Sequence, residues 1–227
     1  MAKVIKKKKI RILPFFLLIL ILAAIFFTVE IVLDSKIKNI IVEGNEIISD
    51  QQIIRQAGIE DYPSFYKNIS SSLEKKIEEI PWIKKVKVKK EFYRVVVIEV
   101  EEHKALFEKE TNGKYVLENK EEITTDLNLP YSVPKLTNEM PEDQYDRFIK
   151  NLQKVDEGVR EKISEIKYDP NDYDKDRFLL YMDDGNSVYL TLTKFEMINY
   201  YNDVLPQLDG RKGYLYLDSG NHFQIMQ

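Results

Sequence analysis

Few residues in this 227-residue chain are of types that do chemistry, and their spacing sets no trap for a substrate. Histidine catalysis needs a nucleophile or acid partner within hydrogen-bond reach. The two histidines, His103 and His222, lie far apart, and each reads as a surface or strand-end residue. Ser72-Leu73-Glu74-Lys75 has the serine–lysine spacing of one acyl-transfer class. Ser35 and Lys38 repeat that spacing by chance, the companion Lys-Thr-Gly triplet is missing, and Leu73 belongs on the buried face of a helix. Asp169, Asn171, Asp172, Asp174 and Asp176 are an acidic cluster. A calcium loop starting at Asp169 would need glycine and glutamate where Asp174 and Leu180 stand, so a solvated loop is the better reading. The absence of cysteine removes disulfides, thiolate metal sites and a cysteine nucleophile. There is no glycine-rich phosphate loop. These residues predict no enzyme, no catalytic or metal set and no cofactor.

With chemistry set aside, the placement of the chain matters more. Ile12 to Val29 is apolar apart from Thr28, and Ile31 to Leu33 can extend the run. As a helix the first stretch spans about 27 Å, near the thickness of bilayer hydrocarbon. Pro14 falls in the first turn, where the amides have no internal partner anyway. Lys3, Lys6, Lys7, Lys8, Lys9 and Arg11 precede the run, and Glu30 and Asp34 close it. Basic flanks stay in the cytoplasm, so the reading is a single-pass type II membrane protein with its long C-terminal part outside. The formal charge is −4, and the six tail cations leave −10 for the rest. An acidic exterior does not suit nucleic acid.

The expected organisation is α+β. It comprises a basic tail (1–11), a transmembrane helix (12–33), a first module (34–104), a second module (105–223) and a short end (224–227). The first module reads β-α-α-β-β. Ile37, Ile40, Ile41 and Val42 form a strand stopped by Gly44-Asn45. Ser49 and Gln52 form a capping box, with Ile48 and Ile53 as a hydrophobic staple, and Gly58 ends the helix. Ile69, Leu73, Ile77 and Ile80 predict one face of a second helix, closed before Pro81. Ile83, Val86 and Val88, then Val96, Ile98 and Val100, alternate with polar residues in two strands of a sheet covered on one side.

The second module predicts short strands at Ala105–Glu108, Tyr115–Leu117 and Glu122–Thr124, and an irregular crossing at Pro130 and Pro134. An amphipathic helix through Tyr145, Phe148, Ile149, Leu152 and Val155 is expected to end at Gly158. A strand at Ile163–Tyr168 and a hairpin of Phe178–Met182 with Ser187–Leu192 follow. Thr193 and Glu196 predict a capping box opening a helix to Leu205, and Gly213–Leu217 reads as the last strand. A last strand with almost nothing after it is expected at a sheet edge, where free N–H and C=O groups can receive a partner strand. Tyr214 and Tyr216 share one face and Leu215 and Leu217 the other. Either all four complete the domain, or one pair meets a partner.

The β-α-α-β-β order resembles a POTRA domain. Val42-Glu43-Gly44-Asn45, Pro81-Trp82-Ile83, Val86, Val88, Ile98-Glu99-Val100 and Glu102 resemble the FtsQ/DivIB bacterial cell-division family, as does the basic tail before a single span. Tyr93 stands where that family commonly has proline, and His103 where arginine is common. The hairpin, helix and terminal strand of the second module, closing on Leu217-Asp218-Ser219-Gly220, are similar to the family's β-domain. The resemblance implies a non-enzymatic divisome scaffold at the division septum. It would bind FtsB/DivIC-like and FtsL-like single-span partners outside the membrane and so bear on septal peptidoglycan synthesis. It also implies partner contacts at Tyr214, Tyr216, Leu217, Ser219 and Gly220, with the helix before them a second candidate. The rival readings are an anchored cell-wall enzyme, a POTRA-bearing export component and a single-span envelope receptor.

Overall fold

The computed structural model describes residues 12–226. The basic tail expected at residues 1–11 lies outside the described residues. Helix α1 (Ile12–Leu33) is long and apolar enough to cross a membrane, and none of its apolar window is buried. That is consistent with a single-pass membrane protein. The chain divides into two compact units. The first holds residues up to Gly44, Ser49–Ile80 and Val86–Val100; the second holds Asn45–Ile48, Pro81–Lys85 and Glu101 onward.

The first unit is built on β1 (Asn39–Glu43), α2 (Asp50–Ala57), α3 (Ser70–Ile77), β2 (Ile83–Glu91) and β3 (Val95–Glu102). The sheet order is β1-β3-β2, and β1 lies parallel to β3, Asn39 opposite Val95. The Ser49 hydroxyl accepts from the Gln52 amide while the Gln52 side chain accepts from the Ser49 amide, so the capping box forms. Gly58 takes the left-handed cap, φ 72°. Ile53, Ala57, Leu73, Ile77, Val96 and Ile98 are buried. Ile69 is not part of that face. It sits at the N-cap of α3, where the chain is still extended, and its side chain is 65% exposed. Gly44 has φ 87°, and a Cβ there would lie 2.2 Å from the Val100 carbonyl oxygen, so only glycine lets the strands approach at this turn.

The second unit carries a nine-stranded sheet. Its strands are β4 (Ala105–Lys109), β5 (Lys114–Leu117), β6 (Glu122–Ile123), β7 (Lys135–Leu136), β8 (Ile163–Tyr168), β9 (Arg177–Met182), β10 (Ser187–Thr191), β11 (Gly213–Tyr216) and β12 (His222–Ile225). The spatial order is β12-β11-β10-β9-β8-β7-β4-β5-β6. Helix α4 (Glu142–Leu152) packs Phe148, Ile149 and Leu152 onto this sheet. The Phe148 ring stacks on Phe178 at 5.0 Å, and Phe195 meets both rings edge-on at 5.8 Å. Aromatic pairs in such offset and edge geometries add about 0.5–1.5 kcal/mol beyond their area.

Three expectations for this unit are corrected. Helix α4 stops at Leu152, not Gly158, which lies in the separate short helix α5 (Glu157–Arg160). The Thr193–Glu196 capping box does not form. Residues Leu192–Tyr200 wind as a 3₁₀ run broken at Lys194, Glu196 instead pairs with Lys154, and only Tyr201–Val204 (α6) is α-helical. The largest correction concerns the edge. β11 is not the last strand; it is flanked by β10 on one side and by β12 on the other.

Candidate partner-binding surface

After β11 the chain reverses through Asp218–Asn221, with φ 140° at Gly220 and 52° at Asn221. Asp218 holds the start of this turn. Its carboxylate accepts from Arg177 Nε at 3.0 Å, its carbonyl from Lys194 Nζ at 3.1 Å, and its amide donates to the Tyr189 carbonyl. β12 then returns antiparallel to β11, His222 opposite Tyr216 and Ile225 opposite Gly213. The Met226 amide donates to the Lys212 carbonyl at 3.0 Å, and the Gly213 amide donates away from β12, to Asn186 Oδ1. Antiparallel bonding alternates along a strand. Hence His222, Gln224 and Met226 bond to β11, while the backbone groups of Phe223 and Ile225 face outward on the sheet's free edge.

Gly213 makes this pairing possible. A Cβ at that position would lie 2.1 Å from the Gln224 carbonyl oxygen and 2.7 Å from the Phe223 ring. No side chain fits without moving β12.

The two faces of this corner differ. On one, Leu215 and Leu217 are buried in the main core, 5% and 6% exposed. Beside them a groove of about 480 Å³ opens between β12 and the 3₁₀/α6 run, lined by Met197, Tyr200, Val204, Leu208, Phe223 and Ile225. On the other face the aromatic side chains form a stack. Arg177 lies 3.8 Å over the Tyr189 ring; Tyr189 stacks on Tyr216 at 5.0 Å, and Tyr216 on His222 at 4.6 Å. Burial pushes the Tyr189 phenol up, and the Arg177 guanidinium opposes it.

Of the five residues singled out in the sequence, Tyr214 and Tyr216 sit half-buried on the stacked face, and Ser219 and Gly220 are exposed in the turn. Leu217 is core and is not available to a partner without unfolding. Sequence reasoning missed β12. The signal was there in the turn residues Ser219-Gly220-Asn221 followed by the alternation of Phe223 and Ile225.

The residues first weighed for chemistry are dispersed. His103 contacts Glu118 at 3.3 Å, whereas His222 ends the aromatic stack. Two aspartates of the 169–176 loop are tied to cations, Asp176 to Arg147 through two bonds of 2.9 and 2.6 Å and Asp169 to Arg177 and Lys167, while Asp174 accepts from the Asp176 amide. Among the described residues no cluster of three or more His, Asp or Glu could hold a metal.

Residues 35–103 match the family model of the FtsQ-type POTRA domain, and residues 105–219 match the model of the C-terminal part of the cell-division protein FtsQ/DivIB. β12 lies beyond the matched residues. The chain is similar to the cell-division protein DivIB of Bacillus cytotoxicus, 29% identical over 216 residues, covering 92% of this chain and 83% of the relative. It is 28% identical over 224 residues to DivIB of Bacillus subtilis, covering 96% and 85%. A solved structure, the major extracytoplasmic domain of the trans isomer of DivIB from Geobacillus stearothermophilus, matches with a TM-score of 0.39. It is 24% identical and covers 48% of this chain and 96% of that domain.

Proposed function

The chain belongs to the FtsQ/DivIB family of bacterial cell-division proteins, and on that premise we propose that it is a non-enzymatic scaffold of the division machinery. It is anchored by α1 at the septum with its folded units outside the cell. There it holds an FtsB/DivIC-like partner, which brings an FtsL-like protein with it, and so bears on septal peptidoglycan synthesis.

The observation that carries this reading is the free outer edge of β12 beside the apolar groove. The N–H and C=O groups of Phe223 and Ile225 would receive a partner strand, and its alternate side chains would enter the groove. Tyr214 and Tyr216 lie one strand inside that edge, Ser219 and Gly220 in the turn leading to it, and all four remain contact candidates. Leu217 acts from the core, by holding β11 in place.

Proline at position 225 removes one outward N–H and no bond to β11. Calorimetry of Ile225→Pro against a DivIC-like exterior segment should show about tenfold weaker binding, the equivalent of one hydrogen bond of about 1.4 kcal/mol. Unchanged affinity in a folded variant would overturn the edge. A fluorescent N-terminal fusion tests the cellular role. It should form a midcell band before constriction, and an even envelope signal would count against a septal scaffold.

A further inference from the structure

We propose that the first unit carries a second membrane contact, an aromatic and basic rim that rests on the lipid surface at which α1 ends. This rests on α1 being a membrane span. The rim is formed by Tyr66, Phe92 and Tyr93 together with Lys36, Lys38 and Arg94.

The position of the rim follows from backbone bonds. The Ser64 hydroxyl donates to the Leu33 carbonyl, the last residue of α1, and the Phe65 amide donates to the Ser35 carbonyl at 2.8 Å. Lys67 pairs with Asp34, one residue past the helix. The turn between β2 and β3 is tied to the same place, because the Lys38 amide donates to the Arg94 carbonyl at 2.9 Å. Four residues separate Lys38 from Leu33, so Lys38, and the Arg94 carbonyl bonded to it, lie at most about 18 Å of chain beyond the end of the span.

The composition suits that layer. Phe92 is 90% exposed and Tyr93 83%, large rings with no packing role. Tyr66 is half-exposed, its ring edge-on to Phe65. Lys90 lies over the Phe65 ring at 4.8 Å and is partly buried behind it, so the rings line an open concavity rather than a core. Lys36, Lys38 and Arg94 are exposed and, among the described residues, form no ion pair. Tyrosine and other amphipathic rings favour the boundary between headgroups and acyl chains, and unpaired cations beside them favour anionic lipid. The turn also holds Tyr93 and Arg94 at φ 60° and 61°, a left-handed pair without glycine. That is the geometry of a type I′ hairpin turn, and it sets the Phe92 and Tyr93 rings at the tip of the β2–β3 hairpin. The charge pattern and the continuity with the span favour lipid over a protein partner.

The test uses the full chain in vesicles of phosphatidylglycerol and phosphatidylcholine with acyl-brominated lipid, which quenches tryptophan on contact. The native Trp82 is buried and supplies a constant baseline. Phe92→Trp adds a reporter at the rim, and Tyr173→Trp adds one at a fully exposed site in the second unit. The lipid contact is expected to remove more than half of the emission added at position 92 and none of that added at position 173. Equal, water-like emission at both positions in protein that resists alkaline extraction overturns the contact and leaves the rim to a protein partner. Protein that alkaline washing removes from the vesicles overturns the span, and the rim contact with it.

Discussion

The ring of Tyr216 lies flat on that of His222, centroids 4.6 Å apart and planes within 5°, and this stack locks the last strand to the one before it. β12 is short and has one neighbour, so few other contacts oppose its release. Replacing His222 by alanine should remove about 0.5–1.5 kcal/mol of stacking. The loss should appear as faster amide exchange at His222 and Gln224, with the global unfolding midpoint nearly unchanged. His222→Phe, which keeps a flat ring, should restore protection.

Gly213 tests the same strand from below. With a Cβ only 2.1 Å from the Gln224 carbonyl oxygen, Gly213→Ala forces β12 off its seat. Overpacking of this kind costs about 1–3 kcal/mol. Limited proteolysis should then cut after Leu217, while the other eight strands of the sheet remain resistant. An alanine variant as resistant as the wild type at its C-terminus would mean that β12 does not pack as described.

The elements that sequence pattern revealed are those whose determinants are local. Ser49 and Gln52 cap α2 from within one turn, and Val86 and Val88 in β2 and Ile98 and Val100 in β3 alternate with polar neighbours. The family resemblance rested in part on Val86, Val88, Ile98 and Val100, and the family matches agree with it. What escaped depends on distant partners. Alternation separated Tyr214 and Tyr216 from Leu215 and Leu217 but could not say which pair faced inward; the Phe148–Phe178–Phe195 core decided for the leucines. Glu196 matched a capping-box pattern, yet Lys154 across the fold claims its carboxylate. β12 was overlooked because it shows only two apolar residues, and because Gly213, which admits it, looks like an ordinary strand start.

A polar network joins the β9–β10 hairpin to the groove wall, and its stability should depend on pH at both ends of the scale. The Tyr201 hydroxyl donates to the Asp184 carboxylate at 2.9 Å, Asn186 donates to the same carboxylate, and Asn186 Oδ1 accepts from the Gly213 amide. Burial would raise the Asp184 carboxyl, but the Asn186 and Tyr201 bonds outweigh it and hold it below the usual carboxylate range. Burial, aided by the Asp184 charge, pushes the Tyr201 phenol well above its ordinary value. The depressed acid contributes above about pH 4 and is lost as pH falls through its folded value; the raised phenol contributes below about pH 10 and is lost as pH rises. Tyr201→Phe should therefore cost about 1–2 kcal/mol near neutrality, and the penalty should shrink in acid and in strong alkali. Urea unfolding of both proteins across pH would show a flat difference if the pair did not titrate this way.

Glu102 was one of the residues that carried the family resemblance, and its position gives it a physical task. One carboxylate oxygen accepts from the amides of Glu46 and Ile47 at 3.0 and 2.8 Å, and the other from the amide of Ile48 at 2.9 Å. Three consecutive N–H groups thus converge on one side chain, and the segment just before the Ser49 cap has a fixed path. Glutamine keeps the length but has one accepting oxygen, so at least one amide loses its partner. Bonds to a charged acceptor are worth about 1.5–3 kcal/mol each when buried, and these are partly solvated, so we expect about 1 kcal/mol for Glu102→Gln and about 2 kcal/mol for Glu102→Ala. Exchange of the Glu46, Ile47 and Ile48 amides should accelerate in that order of severity. If only the global midpoint moved and these three amides stayed protected, the loop would owe its shape to Gly44 and Asn45 rather than to the carboxylate.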